Sequence, residues 1–364
     1  MTRLIKHYFE KKFTVWQLFD LVLFWSLLVF MWFLFSGNTG NSDYDNYTGF
    51  YRYYDQHTLD ALWYPGLEKG FSILMKASNF FKLSYTQFLG AYSFIGLSLI
   101  ANSMLKYSNF RFLPLFFYFS YQFFLDIVQI RNFMLLAIFI FSLRYLTDWY
   151  STDKKKSLIK YIVLILIGTQ MHITGVFFLL PIFTKRISKQ KLVVSISTIT
   201  MLCIMFKPFI MPTFNRILNG SKYDLYLKDQ TSFFGSSLMI VYVLIGLIII
   251  KYLYDRIKEN ENKAKTVLDF AEVTMKLNIL MILTIFFFSI RPDFIRIVRN
   301  VQVINYIMLA QCLKPRLISL KAKNLLSSTA FILFFLGSTF MFLWFSNIDG
   351  VLQPVLTNNI YFNN

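Results

Sequence analysis

Charged side chains are scarce in this sequence, and cysteine is nearly absent. Only 15% of the 364 residues are charged whereas 56% are hydrophobic, which is too apolar for a soluble domain of this length. The two cysteines, Cys203 and Cys312, lie in apolar segments without metal-ligand spacing, so they indicate neither a disulfide framework nor a metal cluster. The composition predicts an integral membrane protein.

Signature motifs of several enzyme classes are also missing. The sequence has no Walker loop, no dinucleotide-binding glycine fingerprint and no HExxH motif, which argues against ATP hydrolysis and nicotinamide chemistry. The formal net charge is +18, but the basic residues form short clusters between apolar spans, which argues against nucleic acid as a partner. Basic cytoplasmic loops explain these clusters better.

Apolar stretches long enough to cross a bilayer recur along the chain. About 20 residues are needed for one crossing, and in lipid the backbone must form its hydrogen bonds internally, as a helix does. We therefore predict an all-α polytopic bundle that forms a single integral membrane domain over residues 1–364. The expected spans lie near residues 15–35, 87–105, 112–130, 132–149, 190–206, 236–254, 275–290, 297–313 and 324–345.

The segment 161–183 is long enough to cross once, but its middle is polar and contains His172 between Gly168 and Gly175. If this segment turns back, 25 of the 37 basic residues lie on the inner side and 12 outside. If it crosses straight through, the numbers become 18 and 19, and the positive-inside bias disappears. We predict a broken, re-entrant helix pair whose tip lines an outward-opening cavity.

This topology places the N-terminus in the cytoplasm and the C-terminal tail, residues 346–364, outside. Residues 1–13 are basic and precede no small-residue cleavage site, which predicts an uncleaved start. The largest external loop covers residues 36–86. Its part 68–83 alternates apolar and polar residues at helical spacing, which predicts a helix along the outer interface.

The external loop holds the densest polar and aromatic patch of the chain. Asp43, Tyr47 and Tyr51 are spaced four apart, so one helix face would carry a carboxylate and two phenol rings. Such a surface suits a sugar because aromatic rings stack on pyranose faces and carboxylates bind hydroxyl groups; an interfacial aromatic belt is the alternative. The same patch contributes Tyr44, Arg52 and His57.

Two further groups are candidates for proton transfer. Glu68 follows Pro65 and Gly66, where the chain can return tightly to the membrane, so its carboxylate either faces the outer cavity or caps a helix. His172 is the only histidine inside an expected span. A functional role and a packing role are both open for it.

Four arginine and amide side chains at outer helix ends are candidates for substrate binding. Arg131 and Asn132 stand at the junction of two spans. Three roles are open for Arg131: it takes part in the function, it reaches the lipid headgroups, or it pairs with Asp126. Arg296 and Arg299 are three apart and share a helix face. External arginines oppose the positive-inside rule, and a pair suits bidentate phosphate recognition; an ion pair with a neighbouring carboxylate is the alternative.

Four short motifs, DYDNY, EKGF, RNFML and MHITG, occur in this order between Asp43 and Gly175. Their order and spacing resemble the EpsG family of membrane proteins, which is similar to Wzy-type polymerases of bacterial exopolysaccharide and capsule. Two positions depart from the family pattern: Asn132, where glutamine is more common, and Lys69, where proline is common.

The resemblance implies a GT-C-like bundle of about nine to ten spans in the bacterial cell membrane. It implies polymerisation of oligosaccharide repeat units carried on polyprenyl pyrophosphate at the outer face, with no cofactor and no metal. Membrane lipids, a flippase and a chain-length regulator are the other partners it implies. The candidate general bases are Glu68, Asp43 and His172, and the candidate residues for stabilising the leaving pyrophosphate are Arg131, Arg296 and Arg299.

Two other functions stay open at this point. A transporter or flippase of the same lipid-linked glycan also uses polar residues on broken helices, although the sequence has no paired inverted halves. A membrane acyltransferase that modifies the polysaccharide is the third possibility, and it requires a cytoplasmic donor site beside a membrane histidine.

Overall fold

Helices make up nearly all of the chain that can be described. The computed structural model describes residues 14–56, 67–218, 232–259, 264–312, 322–345 and 347–362. Within these ranges the chain has no strand, and its one β-type pairing is an isolated bridge between Asn38 and Asn359. The first thirteen residues, His57, Pro65 and Gly66 lie outside the described ranges, so the expectations stated for them have no structural counterpart.

Seven helices are described between residues 14 and 152, where residues 57–66 lie outside the described ranges. They are α1 (Val15–Ser36), α2 (Tyr44–Gln56), α3 (Lys69–Phe80), α4 (Tyr85–Tyr107), α5 (Phe112–Ser120), α6 (Gln122–Val128) and α7 (Ile130–Thr152). Thr14 and Ser84 start α1 and α4 with capping boxes, in which the hydroxyl and a glutamine three residues later satisfy free backbone N–H groups. These two apolar helices therefore have a defined start in the sequence.

The second part contains further long helices and several tighter segments. They are α8 (Lys155–Thr169), a 3₁₀ segment (Ile173–Thr184), α9 (Lys189–Met205), α10 (Lys207–Leu218), α11 (Phe233–Lys258), α12 (Lys265–Phe288, with one 3₁₀ turn), α13 (Ile295–Cys312), α14 (Ala322–Thr339) and α15 (Gln353–Thr357). Two π-helical segments, Phe340–Phe345 and Ile348–Leu352, lie between the last two helices.

Five helices of the described chain, α1, α4, α7, α11 and α12, are long and apolar enough to cross a membrane. Two bent helix pairs, one at α9 and α10 and one after α14, raise this number to seven if each pair is one span. The architecture is thus that of a multi-pass membrane protein. The larger number of nine to ten spans stays a prediction, because the helix over 112–128 is interrupted at Tyr121 and α13 carries arginines and amides.

Helix α8 and the 3₁₀ segment that follows it run antiparallel. The Tyr161 hydroxyl donates to the Phe178 carbonyl oxygen over 2.5 Å, although 17 residues separate them. Lys185, just after the 3₁₀ segment, pairs with Asp153, just before α8. The chain therefore turns back on itself between these elements, as predicted for residues 161–183. We call residues 155–184 the hairpin.

Glycine allows the hairpin to pack closely on α7. A Cβ atom at Gly175 would lie 2.9 Å from Leu135 Cδ1 and 2.8 Å from Thr169 Oγ1, too close for any larger residue. Below this contact the rings of Phe139 and Phe178 stack with centroids 3.7 Å apart. The final glycine of the MHITG motif thus has a packing function.

A buried lysine holds the end of the hairpin that lies opposite its turn. Lys276 on α12 is 3% exposed, and its ammonium group donates to the carbonyl oxygens of Thr184 and Lys185 over 2.9 Å each. Its Nζ also lies 3.5 Å from Glu272 Oε1. Because the last carbonyls of a helix have no partner within it, Lys276 satisfies groups that would otherwise be unpaired.

The C-terminal segment returns to the end of α1. The backbone N–H of Thr39 donates to Asn358 over 2.9 Å, and that of Ile360 donates to Gly37 over 2.9 Å. A Cβ atom at Gly37 would lie 2.4 Å from the side chains of Asn359 and Tyr361. The two distant parts of the chain therefore meet at one corner of the bundle. The residues that precede the C-terminal segment extend from this corner to the site described below.

We expect Lys276→Met to destabilise the protein, because it leaves two buried carbonyl groups without a donor at about 1–3 kcal/mol each. The midpoint of thermal unfolding in detergent should fall by several degrees. The matched control is Lys251→Met, since Lys251 is 68% exposed and its pair with Asp255 is worth only about 0.3–0.5 kcal/mol. Equal shifts for both variants would contradict the assigned role of Lys276.

Candidate functional site

Two neighbouring cavities lie at the end of the bundle where α7 begins. The first, which we call the polar cavity, has a volume of about 320 Å³. The second, the mixed cavity, has a volume of about 420 Å³. The residues common to both linings are Leu125, Gln129, Asp293, Arg296 and Asn347.

The two cavities differ in the chemistry of their walls. The polar cavity is lined chiefly by Asp43, Tyr47, Arg131, Asn132, His172 and Arg296. The mixed cavity has Arg296 and Arg299 on one side and an apolar wall of Leu238, Met239, Met341 and Phe342 on the other. Arg296 thus stands between a region rich in hydrogen-bonding groups and a region with an apolar surface.

A largely buried ion pair stands behind the polar cavity. Arg131 Nη1 lies 2.5 Å from Glu68 Oε2, and Arg131 Nε donates to the Tyr47 hydroxyl over 3.3 Å. Glu68 is 8% exposed and does not line either cavity. The sequence alternative in which Arg131 pairs with Asp126 is therefore wrong, because Asp126 is bound elsewhere and Glu68 neutralises the guanidinium group.

The EKGF motif docks on the turn of the hairpin. Glu68 Oε1 accepts from the backbone N–H of Ile173 over 3.3 Å, and the N–H of Phe71 donates to the Gln170 carbonyl over 3.2 Å. A Cβ atom at Gly70 would lie 2.6 Å from Gln170 Cβ, so only glycine permits this approach. Three of the sequence motifs, EKGF, RNFML and MHITG, thereby meet at one point.

The turn of the hairpin presents His172 to Arg296. Arg296 Nη1 donates to His172 Nε2 over 3.1 Å, and His172 Nδ1 lies 2.8 Å from Thr174 Oγ1. Because guanidinium groups only donate, Nε2 carries the lone pair. Nδ1 then carries the proton and donates to the Thr174 hydroxyl, which is closer to it than the Thr174 backbone N–H at 3.3 Å. The imidazole is therefore a neutral acceptor that orients Arg296.

Asp293 binds two of the arginines that follow α12. Its Oδ2 lies 2.7 Å from Arg291 Nε, and its Oδ1 lies 3.2 Å from Arg296 Nη2. The ion pair expected as one alternative for this segment is therefore present, and Arg296 also lines both cavities. With both carboxylate oxygens engaged, Asp293 fixes the arginine rather than facing the cavity as a free anion.

Arg299 lies one helical turn deeper and is 4% exposed. Its Nη2 donates to Gln129 Oε1 over 2.7 Å, while its Nε has no hydrogen-bond partner among the described residues. Gln129 occupies the break between α6 and α7, which lets its side chain reach across to α13. Arg299 also lines the mixed cavity, and a guanidinium group at a cavity wall is suited to an anionic ligand.

A buried network of amide side chains lies beneath the cavities. Asn132 and Asn300 exchange hydrogen bonds of 3.0 and 3.2 Å, and Gln122 donates to Asn300 over 3.3 Å. Asp126 accepts from the Tyr118 hydroxyl over 2.9 Å and from Asn132 over 3.5 Å. Buried polar groups specify geometry only when they are paired, so this network fixes how α6, α7 and α13 pack.

Asp43 enters the polar cavity from the start of α2. The Asn41 side chain accepts from the Asp43 backbone N–H over 3.0 Å, and the Asp43 carbonyl accepts from the N–H of Tyr47 over 3.1 Å. Burial raises the pKa of the Asp43 carboxyl above its ordinary value of 3.8, and the positive charges of Arg131 and Arg296 partly oppose this shift. Burial likewise raises the pKa of the Tyr47 phenol.

Three of the expected sugar-binding residues lie away from both cavities. Tyr51 is buried, and its hydroxyl donates to the Leu83 carbonyl over 2.7 Å. Tyr44 packs edge-on against Tyr85, and Arg52 is exposed on the outer side of α2. The expected face of Asp43, Tyr47 and Tyr51 is therefore divided, because the deeper tyrosine anchors α2 to the loop before α4.

The sequence did not single out several residues that shape the site. Gln129, Asn300 and Asn347 were missed, as was the apolar wall of the mixed cavity. The available signal was polar side chains at Gln129 and Asn300 within apolar stretches, which in a membrane protein marks a buried network or a pathway. The apolar wall carried no such signal, since its residues look like any others in a span.

The sequence model of the EpsG family matches residues 21–356 of this chain. The match covers nearly the whole chain and includes every residue that lines the two cavities. No curated protein and no solved structure matches the chain.

Removing one partner of the Arg131–Glu68 pair should lower the free energy of unfolding more than removing both. Glu68→Gln or Arg131→Gln alone leaves a buried charge without its counter-charge, an effect of about 3–5 kcal/mol. The double variant leaves none, so we expect its loss to be clearly smaller than the sum of the two single losses. Thermal unfolding of the four proteins in detergent measures this coupling.

The control for this double-mutant comparison is the exposed pair Arg256 and Glu259, in which each residue is likewise replaced by glutamine. Glu259 is 65% exposed, so each change there should have a small and additive effect. Additive losses at Arg131 and Glu68 would show that the pair is not an energetic unit.

Proposed function

The chain belongs to the EpsG family, and from that premise we propose that it polymerises lipid-linked oligosaccharide repeat units at the outer face of the bacterial cell membrane. The product is exopolysaccharide or capsular polysaccharide, and the reaction is that of a Wzy-type glycosyltransferase. The observation that carries this proposal is the pair of adjoining cavities, one polar and one with an apolar wall, with arginines where they meet.

Arg296 and Arg299 are suited to the pyrophosphate of the donor. Both line the mixed cavity. The departing pyrophosphate gains negative charge as the bond to the sugar breaks, so fixed guanidinium groups stabilise the transition state more than the ground state. Arg131 supplies a third positive charge on the polar side, partly neutralised by Glu68.

The apolar wall is suited to the polyprenyl chain. It consists of Leu238 and Met239 on α11 and of Met341 and Phe342 after α14. The outer surface of α11 is apolar as well, with Ile248 and Leu244 exposed where lipid would surround a membrane helix. A carrier lipid entering here would have its phosphates beside the arginines and its sugars toward the polar cavity.

The polar cavity is suited to the sugars. Tyr47 and Asp43 provide a phenol and a carboxylate, which donate to and accept from hydroxyl groups, while Asn132 lines the same cavity with its amide paired to Asn300. We retain the topology expected from the charge count: nine crossings plus the hairpin, a cytoplasmic N-terminus and an external C-terminus. A GT-C-like arrangement, and a flippase and a chain-length regulator as partners, belong to the same proposal.

The alternatives fit the observations less well. A transporter or flippase needs a substrate site reachable from both sides, whereas both described cavities lie at the end of the bundle where α7 begins. An acyltransferase needs an imidazole free to act on an acyl donor, whereas His172 Nε2 accepts from Arg296. Neither alternative explains why arginines gather at the boundary of a polar and an apolar cavity.

Deletion of the gene in its host tests the proposed activity. We expect long polymer to disappear and single lipid-linked repeat units to accumulate at the outer leaflet, as seen on sizing gels of lipid-linked and surface glycans. The wild-type gene should restore polymer. Arg296→Ala should not, because loss of one anion-stabilising donor lowers the rate about 10²–10³-fold.

Arg186→Ala is the matched control, since this arginine is exposed just after the hairpin, beside Lys185. It should restore polymer at the same protein level as wild type. Accumulation of repeat units on the inner leaflet in the deletion strain would assign transport instead of polymerisation.

The topology is tested by labelling single cysteines in a variant with Cys203→Ser and Cys312→Ser. Asn46→Cys on α2 and Gln190→Cys after the hairpin introduce exposed sites. A membrane-impermeant maleimide should label the first in intact cells and the second only after permeabilisation. Labelling of Gln190→Cys in intact cells would mean that the segment 161–183 crosses the membrane only once.

A further inference from the structure

We propose that Asp43 is the general base that takes the proton from the acceptor hydroxyl, and that Glu68 and His172 are positioning residues. This assignment rests on the proposed polymerase function and decides among its three candidate bases. It rests on two criteria. A general base must face the polar cavity, and its carboxylate or imidazole group must not already be engaged by other side chains.

Glu68 is not available to a substrate. One carboxylate oxygen lies 2.5 Å from Arg131 Nη1, and the other accepts from the backbone N–H of Ile173. It lines neither cavity. Its carboxylate instead holds Arg131, α3 and the turn of the hairpin together, which is a positioning role.

His172 lines the polar cavity, but both of its ring nitrogens are engaged. Nε2 accepts from Arg296 Nη1, and Nδ1 is 2.8 Å from Thr174 Oγ1. A base at this position would have to release Arg296 and then become a cation beside it. Repulsion between two adjacent positive charges opposes that step.

Asp43 differs from the other carboxylates of the polar cavity. Asp293 has one oxygen on Arg291 and the other on Arg296. No hydrogen bond or ion pair from the described residues reaches the Asp43 carboxylate, although the side chain lines the cavity and is partly buried. Its backbone is fixed by Asn41 and by the first turn of α2, so the free carboxylate has a defined position.

The reaction balances with this base. An acceptor hydroxyl oxygen attacks the anomeric carbon of the donor and forms the new glycosidic C–O bond. The bond from that carbon to the phosphate oxygen breaks, and the pyrophosphate leaves with the electron pair beside Arg296 and Arg299. The hydroxyl proton passes to the Asp43 carboxylate and from there to water. A positioned base of this kind contributes about 10²–10⁴-fold to the rate.

The charged and titratable groups around Asp43 set the sign of its pH dependence. They are Arg131 from α7, Arg296 and Asp293 from the start of α13, Tyr47 from α2 and His172 from the hairpin. The base acts only when ionised, so the rate should fall as the pH falls through the pKa of Asp43. Because burial raises that pKa, the fall begins at a higher pH than for an exposed aspartate.

The test uses full-length protein purified in detergent and lipid-linked glycan extracted from the deletion strain. Asp43→Asn should lower the rate of polymer formation at least 10²-fold while binding of the lipid-linked glycan changes less than threefold. Asp43→Glu should recover part of the rate because it keeps a carboxylate. Asp45→Asn, the same change at an exposed position two residues along, should match wild type.

His172→Gln separates the two roles considered for the imidazole. Glutamine places an acceptor oxygen near the position of Nε2, so it should keep the rate within tenfold of wild type, whereas His172→Ala should lower it further. The wild-type rate should decline at acid pH, and the residual rate of Asp43→Asn should be flat over that range. If Asp43→Asn does not fold, Asp43→Glu and the wild-type profile still test the assignment.

Several outcomes would overturn the assignment of the base. The first is a rate of polymer formation for Asp43→Asn within fivefold of wild type. The second is a loss of glycan binding by Asp43→Asn that parallels its loss of rate. The third is a rate that falls more than 10²-fold in His172→Gln alone. Failure of the proposed function looks different: folded wild-type protein then forms no polymer from the extracted glycan. An active wild type with an active Asp43→Asn variant removes only the assignment of Asp43.

Discussion

The ion pair between Arg131 and Glu68 joins three parts of the chain that are far apart in sequence. It connects the first turn of α7 to the start of α3, and through the second oxygen of Glu68 it reaches the turn of the hairpin. Burying such a pair is costly unless both groups gain further hydrogen bonds, which Tyr47 and the Ile173 N–H supply. The positions of Arg131 and His172 in the polar cavity depend on this contact, because it joins the start of α7 to the turn of the hairpin.

The three arginines of the site differ in how far their charge is neutralised. Arg131 has Glu68, Arg296 shares Asp293 with Arg291, and Arg299 contacts only the neutral Gln129 among the pairs observed. Direct pairing is therefore weakest at Arg299, although the negative charge of the buried Asp126 acts on it as well. Fixed guanidinium groups suit an anionic ligand, which is the physical reason for proposing a pyrophosphate beside them.

The hairpin places a break in the helical backbone at the polar cavity. Lys276 holds its lower end through two carbonyl groups, and Glu68 holds the turn. The turn leaves His172 as a neutral acceptor for Arg296, so a backbone break within an apolar segment supplies the orienting group for a cation. Non-helical backbone of this kind is tolerated in a membrane protein where it is buried in protein or lines a cavity.

The sequence alone determined the helical membrane architecture, the reversal near residues 161–183 and the family, because these follow from apolar length, charge bias and motif order. It named Asp43, Arg131, His172 and Arg296 as candidate site residues, which the tertiary structure brings to one cavity. It did not determine which charges pair: Glu68 rather than Asp126 neutralises Arg131, and Tyr51 anchors α2 rather than facing the cavity. Nor did it indicate the mixed cavity, whose apolar wall comes from α11 and the segment after α14. Partner choice and cavity shape depend on distances between helices that are remote in sequence, so only the tertiary structure decided them.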